Sequence, residues 1–161
     1  MAIYIKLGDV TGNVTEKEWA GWVNLDSCSF ASHRHVEMTT GATADRSRNH
    51  PQLTPISISK PSDNATEALM RHAIVKSEGV DAEIVFVVPT GDNKVEATQK
   101  MKLTDVIVAG YNQSASKEGD VYESLELTYS KIDVEVISRD TSGKGPTPKH
   151  VIYDVKTGVG S

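Results

Sequence analysis

The chain has 161 residues, 38% of them apolar, and a formal net charge of −5. That length suits one domain over residues 1–161 with a real core, and the composition excludes a disordered chain. No window approaches the roughly 20 uninterrupted apolar residues of a transmembrane helix, so no membrane partner is expected. Lys and Arg are scattered rather than striped, which argues against nucleic acid, because phosphate binding wants clustered cations.

The opening Met-Ala-Ile-Tyr-Ile-Lys-Leu-Gly-Asp lacks the basic start and long apolar stretch of a signal peptide. Folding is therefore expected in the cytoplasm, and leaving the cell would need a dedicated machine. The lone Cys28 excludes an internal disulfide and reads as a small buried hydrophobe in a reducing compartment.

Taken in order, the elements are mostly strands. Ile3, Ile5 and Leu7 alternate with Tyr4 and Lys6, and Gly8-Asp9 and Gly12-Asn13 break the run. Thr15-Glu16-Lys17-Glu18 fits a capping box ahead of Trp19. From Trp22 to about Met38 the pattern predicts one long strand, with Cys28 and Phe30 on its inward face and Ser27, Ser29 and Ala31 opposite. Residues 40–52 carry no periodic signal, and a connection of that length in a compact domain is usually functional or mobile.

Leu53 to Lys60 reads as strand again, followed by a helix expected over residues 64–76. Thr66 can cap it, Glu67 complements its dipole, and Leu69, Ala73 and Ile74 make an apolar stripe. Ile84 to Val88 is a nearly continuous apolar run, as in a strand covered on both faces. Beyond Gly91-Asp92-Asn93, the apolar positions run from Val95 through Leu103 on odd numbers and then shift to Val106 and Val108. The same slip separates Leu125, Leu127 and Tyr129 from Ile132, Val134 and Val136. Because side chains alternate with period two, each slip predicts a bulge or bend, near Thr104–Asp105 and near Ser130–Lys131. Two long strands that change phase suit either a barrel or two packed sheets sharing strands at their corners. Ser138 to Pro148 reads as a loop and Val151, Tyr153 and Val155 as a last strand.

Chemistry-bearing patterns are few. His33-Arg34-His35 places two imidazoles on one strand face, but spacing nominates no third metal ligand. Gly143-Lys144-Gly145 lacks the first glycine and the trailing Ser/Thr of a phosphate loop. Asp133 and Glu135 alternate with Ile132, Val134 and Val136, as on a solvated strand face. No catalytic residue, metal site or cofactor is nominated, and an enzyme is not expected.

Three stretches, in order, resemble the Hcp family (haemolysin-coregulated protein) of type VI secretion. They are Tyr4-Ile-Lys-Leu-Gly-Asp9; Ile58-Ser-Lys-Pro-Ser-Asp63 with Ala65-Thr66 and Leu69; and Glu126-Leu-Thr-Tyr-Ser-Lys-Ile132 with Glu135, Arg139-Asp140, Gly143-Lys144 and Tyr153-Asp-Val-Lys156. Ser59 stands where that family often has threonine, Glu67 where it often has proline, and Leu127 where tryptophan is common.

The resemblance implies a mainly β fold, a compact β-barrel of two packed sheets with one flanking α-helix. It also implies the function of an inner-tube subunit, in hexameric rings that stack, leave the cell through the type VI apparatus and carry effector proteins in their lumen. Implied partners are further copies of the chain, a VgrG-type spike protein, sheath proteins and the effectors. Within the 40–52 segment, Gly41, Ala42 and Ala44 would permit close backbone approach to a neighbouring subunit or ring, and Asp45, Arg46 and Arg48 would supply charged contacts. Ser27, Ser29 and Ala31 would face the lumen. The other readings are a phage-like tail tube protein and a monomeric carrier or chaperone for secreted effectors.

Overall fold

The computed structural model describes residues 1–36, 38, 40–41, 49–90, 94–138 and 147–161. These residues are mainly β, with one helix among them. Its strands are β1 (Ala2–Leu7), β2 (Val23–Leu25), β3 (Ser27–Ser29), β4 (Ser32–His33), β5 (Gln52–Leu53) and β6 (Ile56–Pro61), then, after helix α1 (Thr66–Ile74), β7 (Val80–Pro89), β8 (Val95–Ser114), β9 (Tyr122–Thr128), β10 (Lys131–Ser138), β11 (Thr147–Asp154) and β12 (Val159–Gly160).

All pairings are antiparallel and fall into two principal layers. One runs β12-β11-β10-β8-β7-β1-β2, and the other runs β3-β6-β9-β8. Strand β8 belongs to both. Its residues Gln99–Thr104 pair with β10, and Ile107–Ser114 pair with β9. The change of partner falls at Asp105, whose φ of 56° is left-handed, a region that Asp tolerates better than most residues. Ser130, between β9 and β10, donates its backbone N–H to the Thr104 carbonyl at 3.0 Å. The two expected irregularities are thus both present and are the two sides of one corner. Gly79 crosses the same corner so closely that a Cβ there would meet Asp105 Oδ1 at 1.9 Å.

The main core lies between the layers and under the helix. Ile5, Leu7, Val23, Ile56, Ile58, Leu69, Ile84, Leu103, Leu125 and Leu127 are all essentially buried there. Burying each stabilises the fold by about 1.5–3 kcal/mol relative to leaving it in water. A second cluster covers the other face of β7: Trp19, Val85 and Val87, with Tyr4, Val14 and Trp22 packed around them. Residues 84–88 are therefore covered on both sides, as their apolar run predicts. Gly12 closes the loop that carries Trp19 inward, donating its N–H to the Gly21 carbonyl at 2.7 Å. A side chain at Gly12 would overlap the Trp22 carbonyl oxygen at 2.2 Å.

Several expectations are corrected. The ladders do not close into a barrel; they form two layers joined through β8. The expected strand from Trp22 to Met38 is three short strands, β2, β3 and β4, which pair with β1, β6 and β5 respectively. Phe30 is not an inward core residue: β3 ends at Ser29, alternation stops with it, and the residue is 39% exposed. The helix is shorter than 64–76, and Thr66 does not cap it in the expected way. Instead Thr66 Oγ1 accepts the Asp63 N–H at 3.0 Å and Asp63 Oδ1 accepts the Ala65 N–H at 2.8 Å. The buried helical positions are Leu69 and His72, whereas Ile74 is exposed near the helix end.

Candidate functional site

The β3-β6-β9-β8 layer has an inner and an outer face, and the two carry opposite chemistry. Strand register aligns Ser27 with Ser59, Ser124 and Asn112 in one outward row. The next outward row is Ser29, Ser57, Glu126 and Gly110. The intervening row, Cys28, Ile58, Leu125 and Tyr111, points into the core. The outer surface is thus a four-strand field of short polar side chains, tied internally by a 2.6 Å hydrogen bond between the Ser27 and Ser59 hydroxyls. At its far end the Tyr122 hydroxyl donates to Asp26 Oδ2 at 2.6 Å.

Ser27, Ser29 and Ala31 are all exposed. Ser27 and Ser29 stand on this field, and Ala31 lies just past it. There its N–H donates to Thr54 Oγ1 at 3.0 Å and its carbonyl accepts the Thr54 N–H at 2.9 Å. Gly41 is an exposed turn residue with φ of 91° and open space around it. Ala42, Ala44, Asp45, Arg46 and Arg48 lie outside the described residues.

Under the field lies an ionic network that the sequence pattern did not single out. Lys60 is fully buried and uses all three ammonium hydrogens: Nζ donates to Asp63 Oδ1 at 2.8 Å, the Pro61 carbonyl at 2.8 Å and Glu123 Oε2 at 3.1 Å. Glu123, also buried, accepts the Tyr111 hydroxyl at its other oxygen at 3.2 Å. Burial, reinforced by the Glu123 charge, pushes the Tyr111 phenol up to about 12. A charge withdrawn from water is tolerable only when so fully partnered. The network fixes α1 to the sheet, because Asp63 holds Lys60 and the first turn of the helix together.

A similar link joins the N-terminal strand to the helix. Asp9 Oδ1 lies 3.5 Å from both His72 Nε2 and Lys76 Nζ. Its carboxyl is held below the usual range, chiefly by His72 and then by its own backbone N–H and Lys76.

Other polar candidates are scattered. His33 is exposed on β4, opposite Gln52. Asp133 pairs with His150 on β11 at 2.9 Å rather than with Glu135. Burial alone raises the Cys28 thiol to about 11, the opposite of what activates a nucleophile. Among the described residues no group of three or more His, Cys, Asp and Glu side chains could hold a metal ion, and no helix is long and apolar enough to cross a membrane.

The fold is thus a two-layer β domain with one short helix and one broad face of short polar side chains. The family model described as "Type VI secretion system effector, Hcp" matches residues 4–136, and the chain belongs to that family. No curated protein sequence matches significantly. Among solved structures, one described as a type six secretion system protein superposes with a TM-score of 0.89 at 20% identity, covering 99% of both chains. Hcp1 from Salmonella typhimurium gives 0.74 at 18% identity, over 99% of this chain and 98% of that one. A type VI secretion system effector from Yersinia pestis gives 0.70 at 14% identity, over 95% and 99%. At these identities the structural matches establish a shared fold.

Proposed function

We propose that the chain is a structural subunit of the type VI secretion inner tube. Copies close into hexameric rings by one repeated head-to-tail contact, and rings stack by a second. The stack leaves the cell through the apparatus inside sheath proteins, tipped by a VgrG-type spike, with effector proteins in its lumen. In this reading the two layers act together as one wall, and they also meet at the passage from β2 to β3, where the Asp26 N–H donates to the Ser59 carbonyl at 2.8 Å.

The observation that carries the proposal, beside family membership, is the outer field of Ser27, Ser29, Ser57, Ser59 and Ser124 with Gly110. A wall that must let a folded passenger pass needs short, hydrated side chains. A wall of large apolar ones would adhere to it. The segment holding Gly41, Ala42, Ala44, Asp45, Arg46 and Arg48 supplies contacts between subunits or rings. Light scattering on the purified chain tests the assembly, with an expected mass several times 17.4 kDa and closed rings by negative stain. A monomer throughout the micromolar range would leave the carrier or chaperone reading in its place.

A further inference from the structure

We propose that the cleft at one end of the serine field, between β3, the turn before β6 and β9, is a subsite for a lysine or arginine side chain of a passenger protein. The inference rests on the tube reading, which makes this face the lumen wall, and deepens it by giving the passenger a chemistry.

The cleft holds about 280 Å³, and Ser29, Phe30, Pro55, Ser57 and Glu126 line it. That lies just under the roughly 300–1,000 Å³ of small-molecule sites, and fits one long side chain better than a metabolite. Glu126 is exposed at its mouth and has no cation partner among the described residues. The other carboxylate of this face, Asp26, already accepts the Tyr122 hydroxyl. The outward ladder positions of β3, β6, β9 and the second half of β8 carry neither Lys nor Arg. The only cation of these strands, Lys60, is buried on the opposite side.

Phe30 completes the chemistry. Released from alternation where β3 ends, Phe30 is 39% exposed and lines the same cleft as Glu126. A guanidinium or ammonium group is held by two attractions, the negative face of an aromatic ring and a carboxylate. Ser29 and Ser57 can accept its remaining N–H groups. Gly110, opposite Glu126, leaves that carboxylate free of crowding: a Cβ there would come within 3.3 Å of Glu126 Oε2. An exposed phenylalanine beside a lone acid on an otherwise small, polar wall matches a cation with an apolar stem.

The test uses the full chain and two fluorescein-labelled peptides, one alternating Arg with Ser and Gly, the other with Glu at the Arg positions. Anisotropy should show the Arg peptide binding about tenfold more tightly, as a charge-assisted contact predicts. Glu126→Gln and Phe30→Ala should each remove most of that preference. Glu78→Gln, an equal loss of charge on an exposed residue after the helix, should leave it intact. Equal binding of the two peptides would overturn the subsite, as would an equal loss in Glu78→Gln and Glu126→Gln, which would reduce it to net charge. Light scattering on the same samples separates the two readings. If Glu126→Gln keeps its melting temperature but no longer forms rings that wild type forms, the cleft's occupant is a neighbouring copy and the passenger subsite is wrong. If wild type is itself monomeric, the tube reading falls; Arg selectivity in that monomer still upholds the subsite's chemistry, and its absence rejects both.

Discussion

Replacing Lys60 by methionine should be among the costliest single changes in this molecule. The side chain is fully buried, and methionine keeps most of its volume, so little cavity opens. What is lost is charge: Glu123, equally buried, would keep only the Tyr111 hydroxyl at 3.2 Å. Removing one partner of a buried pair typically costs about 3–5 kcal/mol. With a urea slope of about 2 kcal/mol per molar, the unfolding midpoint should fall by about 1.5–2.5 M. Glu123→Gln should cost less, about 1–3 kcal/mol, since Lys60 keeps Asp63 and the Pro61 carbonyl. In the double variant both charges are gone, so its loss should be smaller than the sum of the two by about 1–3 kcal/mol. Urea titrations of the three variants and wild type, matched for assembly state by light scattering, measure this directly. Additive losses, or a loss below about 1 kcal/mol in Lys60→Met, would refute the claim that the pair is held by mutual dependence.

Asp105→Val should destabilise by about 1–3 kcal/mol in thermal melts, because a β-branched residue is forced to positive φ, whereas Asp105→Gly should lie near neutrality. The Lys156 ion pair that both lose is exposed and worth at most about 1 kcal/mol. Cys28 has its thiol raised to about 11, so only roughly one-thousandth is thiolate at pH 8; iodoacetamide labelling should be slow there and accelerate about tenfold per pH unit until that value is reached. Ser29→Gln adds bulk to the outer field without touching the core, so rings should form normally while a co-purifying effector is lost. Cargo retained unchanged would place Ser29 outside the lumen. Reversing Arg46 and Arg48 to Glu should leave the unfolding temperature nearly unaltered and weaken ring or stacking contacts, read by light scattering at falling protein concentration.

How much of this was legible in the sequence depends on which signal each feature leaves. The phase slips at Thr104–Asp105 and Ser130–Lys131 were visible because period-two alternation keeps a record of every bend. That both belong to one corner was not, since it depends on the Ser130–Thr104 hydrogen bond between distant segments. The serine face showed on β3 alone; its extension over β6, β9 and β8 is a matter of register, which alternation within one strand cannot give. The outward turn of Phe30 is not legible, because a short strand such as β3 ends without leaving a mark in the apolar pattern. Lys60 was readable and missed. It shares parity with Ile56 and Ile58, as Glu123 does with Leu125 and Leu127, so both charges sit at inward positions. Two opposite charges at core phase on different strands are a prediction of a buried pair.

The double membership of β8 has a mechanical consequence. Ladder bonds on either side of Asp105 tie the same continuous backbone into both layers, so neither layer can shear away without tearing the strand from the other. The chain should therefore lack a state with one sheet intact and one dissolved. Amides from Met101 and from Leu127 should exchange with solvent through a single common opening, whose free energy approaches that of global unfolding. In the tube subunit proposed above, a thrust delivered to one layer would be taken up at once by the other.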